Sequence, residues 1–332
     1  MDKGRWHTGE CDKMKLKEIY ELAVHLGMEN DPRGRKELER VLKQAKEEEK
    51  ECREKKKEFD SEKLKNPYAD TRILYGKGDE EIKRALVGID VEVSEILLAD
   101  RLSEKGNKID LVISHHPSGS AYANFFDVMW MQADIMAAQG VPINVAEGML
   151  TERIKEVERR VMPANHQKSV DASRLLGIPF MCMHTVADNC VNSYLQKLMD
   201  RKKPVTLKDV LDILKEIPEY KEGAKMNAGP KIIVGSEKRR AGKVMVDMTG
   251  GTSGSKSAIE RLSQAGVGTL LCMHIPDEHK KEAEKFHINV IIAGHMSSDS
   301  IGMNMIMDAL EKKGIEIVPC AGYIRHSRNS KK

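Results

Sequence analysis

Aromatic residues are scarce: 5 Phe, 7 Tyr and 2 Trp in 332 positions, too few to lay a stacking platform for single-stranded nucleic acid. A field of one sign is lacking as well. The 55 Lys and Arg stand against 52 Asp and Glu, a formal net charge of +3, which excludes a broad positive surface for a nucleic-acid backbone. No apolar run approaches the roughly 20 residues that span a bilayer, and Met1–Trp6 opens no signal-peptide core. The six cysteines (Cys11, Cys52, Cys182, Cys190, Cys272, Cys320) contain no Cys-x-x-Cys pair, so neither a zinc ribbon nor a disulfide framework is written here. These absences set the expectation of a reduced, cytoplasmic protein that binds neither nucleic acid nor membrane.

What is present is unevenly spread. Of the 107 charged residues, 35 fall within the first 66 positions. From Arg35 to Lys65 the pattern predicts one long Lys/Glu helix. Leu38, Ala45, Cys52 and Phe59 recur every seven residues, but charged Glu48 and Lys55 interrupt the complementary positions. The reading is a solvated helical extension with a thin apolar stripe, the alternative an arm that joins subunits or partners.

Beyond Asn66-Pro67 short apolar runs alternate with amphipathic stretches, the signature of a sheet with covering helices. Strands are expected at Ala85–Asp90, Asp110–Ser114, Phe180–Met183, Lys231–Val234, Lys243–Asp247, Thr269–Cys272, Asn289–Ile292 and Ile315–Val318, with Ile143–Val145 as a further short apolar piece. Helices are expected at 94–105, 123–139, 151–162, 169–176, 191–200, 207–217, 257–264, 277–285 and 302–313. The fold class is therefore α/β. The boundaries are a charged helical extension at 1–66, a first α/β lobe at 67–200, a helix and linker at 201–230, a second α/β lobe at 231–325, and a tail at 326–332.

Three polar clusters follow apolar strands: Ser114-His115-His116-Pro117, His184 with Asp188, and Gly294-His295-Met-Ser-Ser-Asp299. Ligands of an α/β sheet gather beyond the carboxyl ends of its strands. One such histidine pair is as a rule structural. Three at equivalent strand ends point to a shared metal crevice, because imidazole suits zinc, iron, copper or nickel and a carboxylate can bridge two cations. His295 and Asp299 share a face if their segment is helical. Gly250-Gly-Thr-Ser-Gly-Ser-Lys256-Ser257 lacks the Gly-Lys-Ser/Thr order of a P-loop, so it reads as a tight turn, with phosphate binding by its backbone the alternative. Glu147, Arg153, Asn165 and His166 are further polar residues near the expected cleft, read first as solvated or helix-start positions.

The residues of these clusters also carry a resemblance. Ile113-Ser-His-His-Pro117, His184-Thr-Val-Ala-Asp188 with Asn189–Leu195, and Ala293-Gly-His295-x-x-x-Asp299 resemble the signature stretches of the Nif-three-like family, named for NGG-one-interacting factor three. Its members are also described as dinuclear metal centre proteins and as type 2 homologues of GTP cyclohydrolase one. The resemblance spans residues 68–325. It implies two similar α/β lobes with a metal cleft between them and assembly as a homo-hexamer. It also implies two divalent cations per chain (zinc, iron, manganese or nickel) on His115, His116, Asp188, His295 and Asp299. His184 matches a histidine beside the centre and is the catalytic candidate. Asp299 stands where the family usually carries Glu, shortening the reach by about one C–C bond, and His274 stands where an acidic residue is common.

The expected function is a metal-dependent hydrolase acting on a small-molecule substrate of the phosphoester, cyclic amide or nucleotide type. The alternative is a non-catalytic metal-binding assembly or regulatory protein that docks partners.

Overall fold

The computed structural model describes residues 14–329; Cys11, the Met1–Trp6 start and the end of the expected tail lie outside the described residues. The chain begins with β1 (Met14–Lys15), α1 (Leu16–Glu29) and α2 (Arg35–Glu54). Next come β2 (Thr71–Tyr75), β3 (Glu81–Ile82), β4 (Arg84–Gly88), α3 (Val93–Glu104), β5 (Leu111–Ser114), α4 (Gly119–Ala123) and α5 (Met131–Gln139). They are followed by α6 (Ile143–Val161), α7 (Lys168–Leu176), β6 (Phe180–Met183), α8 (Thr185–Lys202), α9 (Leu207–Lys215) and α10 (Pro218–Lys225). The rest is β7 (Lys231–Val234), β8 (Lys243–Asp247), α11 (Ala258–Gln264), β9 (Val267–Cys272), α12 (Asp277–Lys285), β10 (Asn289–Ile292), α13 (His295–Lys312) and β11 (Glu316–Pro319).

The protein is α/β, with a five-stranded sheet of order β11-β4-β5-β6-β2, a four-stranded sheet of order β7-β10-β9-β8, and the small β1-β3 pair. Each larger sheet is parallel except for one antiparallel edge strand, β2 or β7. Parallel strands buried on both faces are written as apolar runs, which is why Leu111-Val-Ile and Phe180-Met-Cys-Met are legible. The segment read as a second block, 231–325, supplies four strands to one sheet and its last strand, β11, to the other.

Helices α8 and α13 pack against each other between the two sheets. On α8, Val186, Ala187 and Cys190 join the core of the five-stranded sheet, while Val191, Leu195 and Met199 join Val246, Leu271 and Ile291 of the four-stranded one. On α13, Met303, Ile306, Met307 and Leu310 face the first core and Ile301 the second. Gly302 makes the close contact possible: a Cβ there would lie 2.2 Å from the Ala187 carbonyl oxygen, and a backbone atom cannot move aside.

The structure corrects the sequence reading in several places. The Lys/Glu helix stops at Glu54 instead of continuing to Lys65. Lys56 adopts φ 52°, and Asp60 starts a short 3-10 turn by accepting from Glu62 N while pairing with buried Arg72 at 2.9 Å, so the chain is pulled back to the body. Upstream, α1 is no solvated arm: Leu16, Ile19 and Ala23 lie in one core with Val87, Ile113 and Met183. Ile143–Val145 is the start of α6, whose Ala146, Leu150, Ile154, Val157 and Val161 are buried at helical spacing beside the four-stranded sheet. Helix α8 begins six residues earlier than expected, because buried Asp70 accepts from the Thr185 hydroxyl at 2.6 Å and its amide at 3.4 Å, capping the first turn from outside. An unexpected helix, α10, opened by Pro218, covers 218–225 and takes in the first three residues of the linker expected at 223–230. Among the described residues no helix is long and apolar enough to cross a membrane.

Gly302→Ala is expected to cost about 1–3 kcal/mol in urea unfolding, because the added methyl forces α13 away from α8. An equal substitution at Gly148, where nothing lies within 4 Å, should leave or raise stability.

Candidate metal centre

Four strand or helix ends converge on one small region. Strand β5 ends at Ser114, and His115 and His116 follow it, turned to neighbouring positions; their ring centroids are 5.1 Å apart. His184 lies between the end of β6 and the first turn of α8, which carries Asp188. Helix α13 places His295 and Asp299 on one face, as their four-residue spacing requires. All six residues singled out in the sequence are thus brought together. Three sets of donor atoms each lie within 4.8 Å of one another: His115, His116 and His184; His116, His295 and Asp299; and His115, Asp188 and Asp299.

The histidines are held from behind. The Nδ1 of His115 lies 3.1 Å from the Met183 carbonyl, that of His116 2.7 Å from Asp90, and that of His184 2.7 Å from Asp70. For His115 and His116, whose Nε2 atoms face the carboxyl groups of Asp188 and Asp299, an acceptor at Nδ1 fixes the tautomer and leaves Nε2 with a lone pair. The carboxylates, by contrast, are unsatisfied. Asp299 is fully buried, yet neither oxygen has a hydrogen-bond partner, and Asp188 Oδ1 is likewise orphaned.

Asp299 Oδ1 stands 3.6 Å from His115 Nε2, and its Oδ2 stands 3.6 Å from both His116 Nε2 and His295 Nε2. Asp188 Oδ1 is 3.5 Å from His115 Nε2. These separations are too long for hydrogen bonds but match two ligands sharing one cation, since ligands about 2.1 Å from a tetrahedral metal lie roughly 3.4 Å apart. Buried His and Asp groups with this donor set and these orphaned oxygens could hold a metal ion.

Protonation follows from the same geometry. Burial holds His115 well below the usual imidazole range, and the neighbouring His184 and His116 push it the same way. His116 is lowered by burial too, and burial beside His116 and His274 takes His295 to about 4. Burial raises Asp188 to about 7 and Asp299 well above the carboxylate range. Burial alone would lower His184, but the Asp188 and Asp70 carboxylates outweigh it and raise it to about 9.

A cavity of about 80 Å³ opens beside the cluster, lined by His115, His184, Asp188, His295 and Asp299 on one side and by Asp247, Thr249 and the glycine-rich turn on the other. In that turn Gly250 and Gly251 take φ of 100° and 82°, backbone that glycine alone adopts freely. Side chains grip its carbonyls from outside: Gln132 holds Gly250 and Thr252, Arg153 holds Ser253, and His279 holds Gly254. Lys256 pairs with Glu278 at the surface. Arg153 thus shapes the turn without lining the cavity, His274 lines it with its ring 5.1 Å from His295, and Glu147, Asn165 and His166 line other recesses.

Sequence reasoning missed Asp70, Asp90 and Asp247. The strand-end rule that selects the histidines also selects Asp90 and Asp247, the latter the last residue of β8 and on the cavity wall. Asp70 precedes an edge strand and carries no such signal.

No family model matches the chain, and no curated protein does. Among solved structures, a NIF3 superfamily protein from Sphaerobacter thermophilus is 29% identical, with 76% of this chain and 91% of that one covered and a TM-score of 0.67. Reduced HcgD from Methanocaldococcus jannaschii is 18% identical over 74% of this chain and 87% of its own, with a TM-score of 0.46. A Bacillus cereus protein related to NIF3 is 10% identical over 79% and 92%, with a TM-score of 0.41. The resemblance carried by the three motifs and the likeness to the Sphaerobacter structure agree: the chain is similar in fold and in sequence to a NIF3 superfamily protein.

Proposed function

We propose that the chain is a metal-dependent hydrolase that holds two divalent cations on His115, His116, Asp188, His295 and Asp299. The supporting observation is that three cation-sized donor sets overlap, sharing His115, His116 and Asp299. One site alone would leave some of these donors redundant. Asp299 offers one oxygen to the His115 side and the other to the His116 and His295 side, as a carboxylate shared by two ions would. Zinc, iron, manganese and nickel all suit this mixture of imidazole and carboxylate.

Such a pair of cations, when bound, supplies an activated water and stabilises charge developing on a phosphoryl or carbonyl oxygen. The chain's own residues do the rest. His115 and His116, kept neutral by burial, present lone pairs without first losing protons. His184 is braced by Asp70 at 2.7 Å, which makes it the candidate for passing a proton to a leaving group. The walls of the cavity limit the substrate to a small molecule or to the polar end of a larger one.

Protein purified without chelator is expected to contain between one and two equivalents of transition metal by elemental analysis, falling by at least half in His115→Ala and Asp188→Ala. It should hydrolyse at least one member of a panel of phosphoesters, cyclic nucleotides and cyclic amides, and chelation should abolish that activity. Metal well under one equivalent per chain defeats the reading. Metal without any turnover moves the chain to the binding and assembly class.

A pH dependence follows from the raised groups. A carboxyl whose folded pKa is raised loses stability for the fold as pH rises from its unfolded value, about 4, through its folded one. His184, raised to about 9, stabilises the fold below about 6.5 and ceases to as pH passes 9. Both act in the same direction, so the chelated chain should melt at lower temperature at pH 9 than at pH 7. Asp299→Asn removes one buried charge and should raise the melting temperature of the chelated chain at pH 8 by at least about 2 °C, while abolishing the stabilisation that zinc gives the wild type. Calorimetry with and without zinc checks both.

A further inference from the structure

The wall of the cavity opposite the histidines is fastened to the N-terminal helical hairpin, formed by α1, α2 and the turn between them. Strand β8 is an edge strand, and three amide side chains on one face of α8 serve its open edge. Gln196 accepts from Val246 N at 2.9 Å and donates to Val244 O at 3.2 Å, and Asn192 Oδ1 accepts from Met248 N at 3.0 Å. One turn closer to the cluster, Asn189 Oδ1 accepts from the Thr249 hydroxyl at 2.7 Å.

Asn189 differs from the other two because α1 and its following turn aim it. Its Nδ2 faces the Gly27 carbonyl at 3.2 Å and Asp31 Oδ2 at 3.4 Å, and neither can donate. The Asp31 carboxylate is itself immobilised. It accepts from Arg33 N, Nε and a terminal guanidinium nitrogen at 2.8–3.0 Å and from the Tyr68 hydroxyl at 2.8 Å. Turning the Asn189 amide over would set Oδ1 against two acceptors, so Oδ1 stays directed at Thr249 and the Thr249 hydroxyl must donate to it. Asp31, Tyr68, Asn189 and Thr249 are all buried, where such a chain of bonds is strong and a broken link costly. With its proton engaged, the hydroxyl of Thr249, a residue that lines the cavity, can only accept from a group that enters.

We propose that Asp31 is a positioning residue of this cavity: through Asn189 it fixes the Thr249 hydroxyl and the start of the glycine-rich turn, and leaves that hydroxyl only as an acceptor. The hairpin is therefore part of the site. The proposal concerns the wall alone and does not rest on cation binding.

Hydrogen exchange of the full chain, read by mass spectrometry after chelation and again with added zinc, tests it. Thr249→Val keeps the side-chain shape and leaves the Asp31–Asn189 contact in place; Thr249→Ser keeps the hydroxyl. Thr249→Val and Asp31→Ala are each expected to speed exchange across residues 248–254 by at least about tenfold, while Thr249→Ser stays within about twofold of wild type. In Thr249→Val the rates in α1 and α8 should be unchanged. Wild-type rates in Thr249→Val, or equal rates in the Ser and Val variants, overturn the proposal. So does an increase in Asp31→Ala spread evenly over α1, α8 and the turn, which would mark Asp31 as a general stabiliser. Because exchange is read on chelated protein, a chain that never binds metal fails the hydrolase reading, while its exchange rates still support or overturn the role of Asp31.

Discussion

Two buried carboxyl groups with unpartnered oxygens, both of Asp299 and one of Asp188, are the constraint around which this protein is arranged. Asp188 and Asp299 sit where α8 and α13 meet between the sheets, and their orphaned oxygens would each cost on the order of kilocalories per mole in a purely structural role. A fold retains such an arrangement only if the rest of the structure enforces it. The enforcement is visible in the close helix contact at Gly302, the capping of α8 by Asp70, and the packing of α8 and α13 on two different sheets. Around the carboxyl groups, burial favours the neutral form of His115, His116 and His295. Carboxyl oxygens and imidazole nitrogens stand 3.5–3.6 Å apart, and a cation between them would favour the charged carboxylates that burial alone disfavours.

The same helix pair explains how distant parts of the chain serve one cavity. Helix α8 starts at the five-stranded sheet, carries Asp188 in its first turn, and then runs its Asn189, Asn192 and Gln196 along the edge of the four-stranded sheet. A displacement of β8 would therefore be felt at Asp188 within one helical turn. Helix α1 lies on the other side of α8, so closely that a Cβ on Gly27 would meet Val186 at 2.6 Å. The N-terminal hairpin reaches the site through α8, with buried Asp31 as its polar contact and Leu16, Ile19 and Ala23 as its apolar one.

This is also where pattern reading works and where it stops. The histidine clusters are legible because parallel strands are apolar runs, and a polar residue directly after such a run stands out. The helices that carry the carboxylates are not, because they are buried nearly all round and polar over their first turns: Asp188, Asn189 and Asn192 on α8, and Ser297, Ser298, Asp299 and Ser300 on α13. Neither shows a 3.6-residue apolar stripe, so the pattern places their starts too late, at 191 and 302. Helix α1 is hidden for a different reason. Its stripe of Leu16, Ile19 and Ala23 is sound, but the charge density of α2 beside it makes the whole segment look solvated. Asp31 and Asp70 are isolated acidic residues in turns, and only the fold shows that each is closed in by partners more than thirty positions away.

The reach of Asp299, one methylene shorter than a Glu in its place would have, turns on the same geometry. A carboxylate one methylene shorter reaches the cluster only if its backbone comes closer, and the helix that bears it does come close: Gly302, one turn beyond Asp299, abuts the carbonyl of Ala187, the residue before Asp188. The absent side chain at 302 thus lets α13 approach α8, and Asp299 arrives within 3.6 Å of three histidines despite its short stem. Side-chain reach and helix separation trade against each other, so position 302 bears on the centre although it touches none of the proposed ligands. A larger residue there would leave Asp299 short of both ends of its span, so a close backbone contact and a fully buried carboxyl group lie one turn apart.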